Sequence, residues 1–263
     1  MAMKTIAIAN QKGGCGKTTT AVNLSGALAL SDQRVLLVDL DPQGHATLAF
    51  GHQPKDLDKT VASSLLDWSI PFKDVVRQTP IEGLDLAPSN MDVGLADMEL
   101  RLQLGKELIL AEQLRPVGDD YDYCIIDCAP PLTLLMLNAL VASDYVVLPV
   151  QTHYYAVEGL RDLLESVEVL RERFDPCSVR ILGILLTFVE WSTLSRQVGV
   201  QLRDYFGALV FETIIHKSVR LAEAPSWGQC IHTYAPTNRG ALEYLGLARE
   251  IIQKIDSLEG VTL

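Results

Sequence analysis

Residues 12–19 read Lys12-Gly13-Gly14-Cys15-Gly16-Lys17-Thr18-Thr19. The apolar run Thr5-Ile6-Ala7-Ile8-Ala9 leads in, and a helical pattern from Thr18 to Leu30 leads out. Strand, glycine-rich turn, Lys-Thr and helix form the phosphate-binding P-loop context. Glycines let the backbone curl so that its N–H groups face a phosphate, and the new helix adds the positive end of its dipole. Lys17 is placed to reach the β- and γ-phosphates, and the Thr18 hydroxyl to hold Mg²⁺. The general pattern is G-x-x-x-x-G-K-[ST]; Gly16 fills its last glycine, but Gln11 stands where the first belongs. A second lysine, Lys12, opens the loop instead. A lysine there points away from its own cradle and is available to another molecule's nucleotide.

Outward from this loop, short apolar runs alternate with helical patterns. Val35–Val38, Leu84–Ala87, Tyr123–Ile126, Val146–Val150, Ile181–Leu186 and Leu209–Ile215 read as strands, several of them continuous apolar runs buried on both faces. Residues 92–115 read as one long helix with Leu95, Met98, Leu102, Ile109 and Leu114 along an apolar stripe. Val157, Leu160, Leu164 and Val167 mark another helix face, a further helix falls near 194–206, and Asn238 is placed to cap a final one. Residues 44–82 are less regular. No repeat or linker divides the chain. The expectation is one α/β domain over 1–263, a doubly wound, mostly parallel sheet with helices on both faces. Ligand chemistry then lies at the carboxyl ends of the strands.

Composition limits the function. The chain has 263 residues and a net charge of −11, which argues against a generally basic nucleic-acid binder. The acidic excess is concentrated before residue 187, so the C-terminal third is where an anionic partner could dock. The five cysteines, 15, 124, 128, 177 and 230, show no metal spacing and fit free thiols in a reducing cytosol. The five histidines form no ligand pair at a metal-site spacing. No apolar run reaches the length of a membrane span, and no secretory leader is recognisable.

Two further carboxylate motifs carry chemistry. Asp39-Leu40-Asp41-Pro42-Gln43-Gly44 follows the second strand. Asp39 and Asp41 could face one phosphate–Mg²⁺ site, with Asp41 beyond the strand and able to orient a water at the γ-phosphate. Asp127 ends the apolar strand before it, the Walker-B arrangement, which holds Mg²⁺ directly or through water. Cys15 reads as a filler facing away from phosphate. A helix N-terminus can lower a thiol's pKa, so a redox-sensitive loop is a secondary expectation.

Taken together, residues 12–19, Asp39 to Gly44 and Ile126-Asp127-Cys128-Ala129-Pro130-Pro131 resemble the ParA branch of the ParA/MinD deviant-Walker ATPases. Leu194-Ser195-Arg196-Gln197-Val198 and the stretch Val219 to Gly228 extend the resemblance to the chromosomal Soj/ParA type. The resemblance implies an ATP-sandwiched homodimer. In it Lys12 reaches the other copy's phosphates, residues 12–19 bind ATP, and Lys17 and Thr18 serve the phosphates and Mg²⁺. Asp41 positions the attacking water and Asp127 is the Walker-B carboxylate. It also implies nonspecific DNA binding by the ATP dimer on the nucleoid. A ParB-like protein or cargo adaptor then stimulates slow hydrolysis, to segregate plasmid or chromosome DNA. Positioning of a protein assembly is the alternative, and a MinD-like membrane switch fits poorly because the C-terminal tail is acidic on balance.

This sequence departs from the family pattern at the DNA-facing loops. Trp191-Ser192 stand where relatives carry a DNA-contacting arginine, and His216-Lys217-Ser218 replace a Pro-Arg-Asn. His45 replaces an Asn. Arg220 matches the second DNA-contacting arginine, and Arg196, Arg203 and Lys217 complete a candidate DNA-facing set.

Overall fold

The computed structural model describes residues 2–130, 133–153, 156–173 and 177–260. Pro131, the last residue of the Walker-B motif, lies outside them. The strands are β1 Lys4–Ile8, β2 Val35–Asp39, β3 Arg77–Gln78, β4 Leu84–Ala87, β5 Tyr123–Asp127, β6 Tyr145–Gln151, β7 Arg180–Val189 and β8 Val210–His216. They form one sheet in the order β3-β4-β2-β5-β1-β6-β7-β8. All pair in parallel except β3, which runs antiparallel against β4.

Every residue of β2 and of β5 is buried, because apolar layers cover both sheet faces. Along each strand alternate side chains enter opposite layers. In β1, Ala7 joins one core cluster while Ile6 and Ile8 join the other. The second layer is built from helices Lys17–Ala29, His45–Leu48, Ile231–Tyr234 and Arg239–Gly260. The first takes helices Val61–Leu66, Asp92–Leu100, Ile109–Leu114, Leu134–Val141, Ala156–Arg173 and Thr193–Phe206. Asn238 caps the final helix, accepting from Gly240 N at 2.9 Å. Among the described residues no helix is long and apolar enough to cross a membrane.

The long helix expected over 92–115 is interrupted. It ends at Leu100, and a second helix begins at Ile109. Of the expected stripe Ile109 and Leu114 are buried, but Leu95, Met98 and Leu102 are exposed, and Val93, Ala96 and Leu100 are buried instead at spacings of three and four. Gly105, at φ +67°, breaks the helical path. Asn138 holds the connection by donating to Lys106 O at 2.8 Å and accepting from Leu110 N at 3.1 Å. A partner 28 residues away therefore overrides the local pattern. The β3–β4 pairing has the same character and follows from no strong local signal.

Candidate nucleotide site

β1 lies between β5 and β6, so the loop after Ile8 emerges in the middle of the sheet's carboxyl edge. Asn10 anchors its start: Nδ2 donates to Pro149 O of β6 at 2.7 Å, and Oδ1 accepts from Lys12 N at 2.9 Å. Gly14 and Gly16 take φ +73° and +89°, a region that a Cβ disfavours. A Cβ on Gly16 would also meet the Phe188 ring at 3.1 Å. From the far side Thr187 donates its hydroxyl to Cys15 O at 2.7 Å. Thus β6 and β7 both brace the curl that the glycines permit.

The loop's two lysines face different surroundings. Lys17 is buried and its ammonium folds back to donate to Lys12 O at 2.9 Å. Lys12 is exposed, and its ammonium meets His153 Nε2 beyond the end of β6. Thr18 and Thr19 are half-buried at the start of the helix, and Gly13 is exposed. Cys15 is buried, with its thiol donating to Lys12 O. Burial pushes that thiol's pKa up, and the nearby Lys17 charge only partly offsets it. The filler reading of Cys15 is the one the geometry favours over a reactive thiol.

The three acidic residues lie beside this loop. β2 and β5 run in register, so Asp39 stands next to Asp127 at their carboxyl ends. Both are fully buried. Neither oxygen of Asp127 has a hydrogen-bond partner among the described residues. Its pKa is raised well above the ordinary carboxylate range, first by desolvation and then by Asp39, against the lowering effects of the Thr18 hydroxyl and the Lys17 charge. Buried, charged and unpartnered groups are costly, and a cation is the usual remedy. Asp127 beside the Thr18 hydroxyl and Lys17 thus fits a Mg²⁺–phosphate site on this structure's own terms.

Asp39 behaves differently from the shared role expected of it. Its oxygens are engaged by Thr47 N at 2.8 Å, Thr47 Oγ1 at 2.7 Å and Asp41 N at 3.1 Å. Burial still pushes its pKa up to about 6, against those hydrogen bonds. Asp41 is half-buried, and its carboxylate accepts only from Gln43 N, at 2.9 Å, among the contacts described. Sequence reading did not anticipate Thr47, Phe188, Thr187 or His153 around the site. Thr187, Phe188 and His153 reach it through contacts distant in the chain, and Thr47 through one eight residues from Asp39.

A family model described as an AAA domain matches residues 3–178. The chain belongs to the ParA/MinD family of P-loop ATPases. It is 45% identical over 249 residues to the sporulation initiation inhibitor protein Soj of Bacillus subtilis, covering 94% of this chain and 98% of that protein. It is also 45% identical to the chromosome-partitioning ATPase Soj of Thermus thermophilus, covering 96% and 97%. Among solved structures it resembles cobyrinic acid a,c-diamide synthase of Mycobacterium smegmatis with bound ATP analogue and magnesium. The TM-score there is 0.84 and the identity 32%, covering 97% of this chain and 96% of that one.

The candidate DNA-facing residues lie elsewhere, beyond β7 and β8. Arg196 is exposed on the helix Thr193–Phe206. Arg203 pairs with Glu212 at 3.4 Å, Lys217 with Glu190 at 2.6 Å, and Arg220 with Glu223 at 3.0 Å. Trp191, 87% exposed, stacks on His216 at 5.2 Å, with Arg239 5.1 Å from its ring.

The raised pKa of Asp127 gives a stability prediction with a definite sign. A carboxyl whose folded pKa is raised binds more protons folded than unfolded, so the metal-free chain loses stability as pH rises from the ordinary carboxylate range through the folded value. Asp127→Asn should therefore raise the melting temperature of the metal-free chain by a few degrees, on the order of 1 kcal/mol. The gain should be larger at pH 8 than at pH 5, while Mg²⁺-dependent nucleotide binding weakens. Differential scanning fluorimetry at both pH values reads this directly. An Asp127→Asn chain no more stable than the wild type at pH 8 refutes it.

Proposed function

We propose that this chain is a Mg²⁺-dependent ATPase of the ParA type that works as an ATP-sandwiched homodimer to partition DNA. The observation that carries the reading is the contrast between its two loop lysines: Lys17 is buried within its own loop, whereas Lys12 is exposed beyond it. Kinship with the two Soj proteins supports partition. The likeness to a structure with bound ATP analogue and magnesium supports the cofactors.

In this mechanism the N–H groups of residues 13–19 cradle the phosphates and Lys17 turns from Lys12 O to the β,γ-oxygens. Thr18 and Asp127 would hold Mg²⁺, Asp127 directly or through water. The ion supplies charge neutralisation when bound. Asp41 orients a water whose oxygen forms a bond to the γ-phosphorus as the bond to the β,γ-bridging oxygen breaks, giving ADP and phosphate. Lys12 of the other copy neutralises charge that develops in the transition state. Supplying it in trans makes hydrolysis conditional on dimerisation. A partner protein can then shorten a slow intrinsic timer.

Nonspecific DNA is the proposed track, with Arg196, Arg203, Lys217 and Arg220 as its contacts. The ion pairs that hold three of these cations each have at least one exposed member, and solvent-screened pairs of this kind hold weakly, so phosphates can displace the carboxylates. The alternative, positioning of a protein assembly, draws on one observation: the exposed Trp191 in the loop where relatives carry an arginine. Aromatic anchors of that kind are frequent at protein interfaces.

Three outcomes are expected. Lys12→Ala should bind ATP yet stay monomeric on sizing chromatography with ATP; an ATP-dependent dimer of that variant removes the trans role. Asp41→Ala should bind ATP and dimerise but lose on the order of 10²-fold in turnover, and normal turnover excludes Asp41 from the mechanism. The wild type with ATP should be retained on nonspecific duplex DNA at low salt, with affinity falling steeply as salt rises. Retention should weaken in Arg220→Ala. Absence of ATP-dependent retention in the wild type rejects DNA as the track and favours the protein-cargo reading.

A further inference from the structure

The segment that carries Asp41 is held by a closed ring of hydrogen bonds, fully buried at Thr47 and part-buried where they meet the Asp41 backbone. Asp39 Oδ1 accepts from Asp41 N at 3.1 Å. Asp39 Oδ2 accepts from both the N and the Oγ1 of Thr47, at 2.8 and 2.7 Å. The Thr47 hydroxyl, having given its proton to Asp39, accepts from Ser89 N at 2.8 Å. Ser89 Oγ closes the ring by donating to Asp41 O at 2.7 Å. Asp39, Thr47 and Ser89 are all fully buried.

The ring fastens both backbone polar groups of Asp41 and leaves its carboxylate outside. It joins β2, the helix His45–Leu48 and the loop after β4. Gly44 lets the chain turn back between them at φ +61°, where a Cβ would lie 2.7 Å from Pro54 and 3.3 Å from Ser89 O. The direction of each bond matters. A hydroxyl at position 47 must donate to Asp39 and accept from Ser89 at once, which serine can do and valine cannot. Alignment of a reacting water is sensitive to such support, since a misplacement of about 1 Å can cost on the order of 10²-fold in rate.

We propose that Thr47 and Ser89, clamped by Asp39, are positioning residues for ATP hydrolysis that hold the Asp41 peptide so that its carboxylate meets the attacking water. The inference rests on the reading of Asp41 as the water-orienting residue. It assigns a catalytic consequence to buried side chains whose hydrogen bonds run to one another and to the Asp41 backbone rather than to its carboxylate.

The test uses the full chain and four variants: Thr47→Val, Thr47→Ser, Ser89→Ala and Asp41→Asn. Turnover at saturating ATP, KM, affinity for a fluorescent ATP analogue and melting temperature are measured for each. Thr47→Val should lose about tenfold in kcat with KM and analogue affinity within about twofold of the wild type. Thr47→Ser should restore most of that loss, and Ser89→Ala should fall between. An inactive Asp41→Asn beside a Thr47→Val of wild-type kcat overturns the positioning role alone. Full turnover in Asp41→Asn overturns the underlying reading of Asp41. Parallel losses of kcat and analogue affinity in Thr47→Val indicate a merely structural role and also overturn the proposal. Should Thr47→Val fail to fold, Ser89→Ala decides, because it removes one hydroxyl at the Asp41 carbonyl: an unchanged kcat there refutes the idea.

Discussion

Two carboxylates side by side in a dry sheet are the constraint around which this molecule is arranged. The in-register pairing of β2 with β5 forces Asp39 and Asp127 to adjacent positions. Parallel strands end together, so both arrive at the same edge as the loop leaving β1. One of the pair is satisfied by protein donors, while the other has none. The fold therefore keeps at this edge a buried carboxyl that burial and Asp39 push towards its neutral form, a group that a bound cation would return to its charged form. On the proposed reading of Asp127 as a Mg²⁺ residue, ligand binding and folding are coupled through it. A better-satisfied residue at position 127 would make a steadier apo protein and a poorer nucleotide site.

Much of this is legible from local sequence because the relevant rules are local. Gly14, Gly16, Lys17 and Thr18 lie within one turn of chain. Asp127 follows four apolar residues, and its place at the edge follows from the strand alone. The alternation of buried strands with helical stripes is enough to establish a mostly parallel sheet. What is not legible depends on contacts between distant segments. The break between Leu100 and Ile109 is held by Asn138, the loop curl is braced by Thr187 and Phe188, and Thr47, which claims Asp39, is itself tied to Ser89. The expected stripe holds at Ile109 and Leu114 but fails at Leu95, Met98 and Leu102, because apolar residues also populate surfaces. Periodicity counts apolar side chains without knowing which of them the rest of the chain covers.

Electrostatics explains why the candidate DNA-facing region is the least legible from sequence. A row of cations in sequence says nothing about the carboxylates that folding brings beside them. Here Glu212, Glu190 and Glu223 are brought against Arg203, Lys217 and Arg220. Each pair is nearly neutral from a distance, so this face exerts a weaker long-range pull on a polyanion than its basic residues suggest. Binding to phosphate must exchange one anionic partner for another. The net gain then comes from released counterions and from many weak exchanges made together. Such a surface suits a dimer better than a monomer: doubling the number of exchanges raises avidity without making any single contact strong. A nucleotide that controls dimerisation would in that case also control attachment, with no structural change needed at the DNA-facing residues themselves.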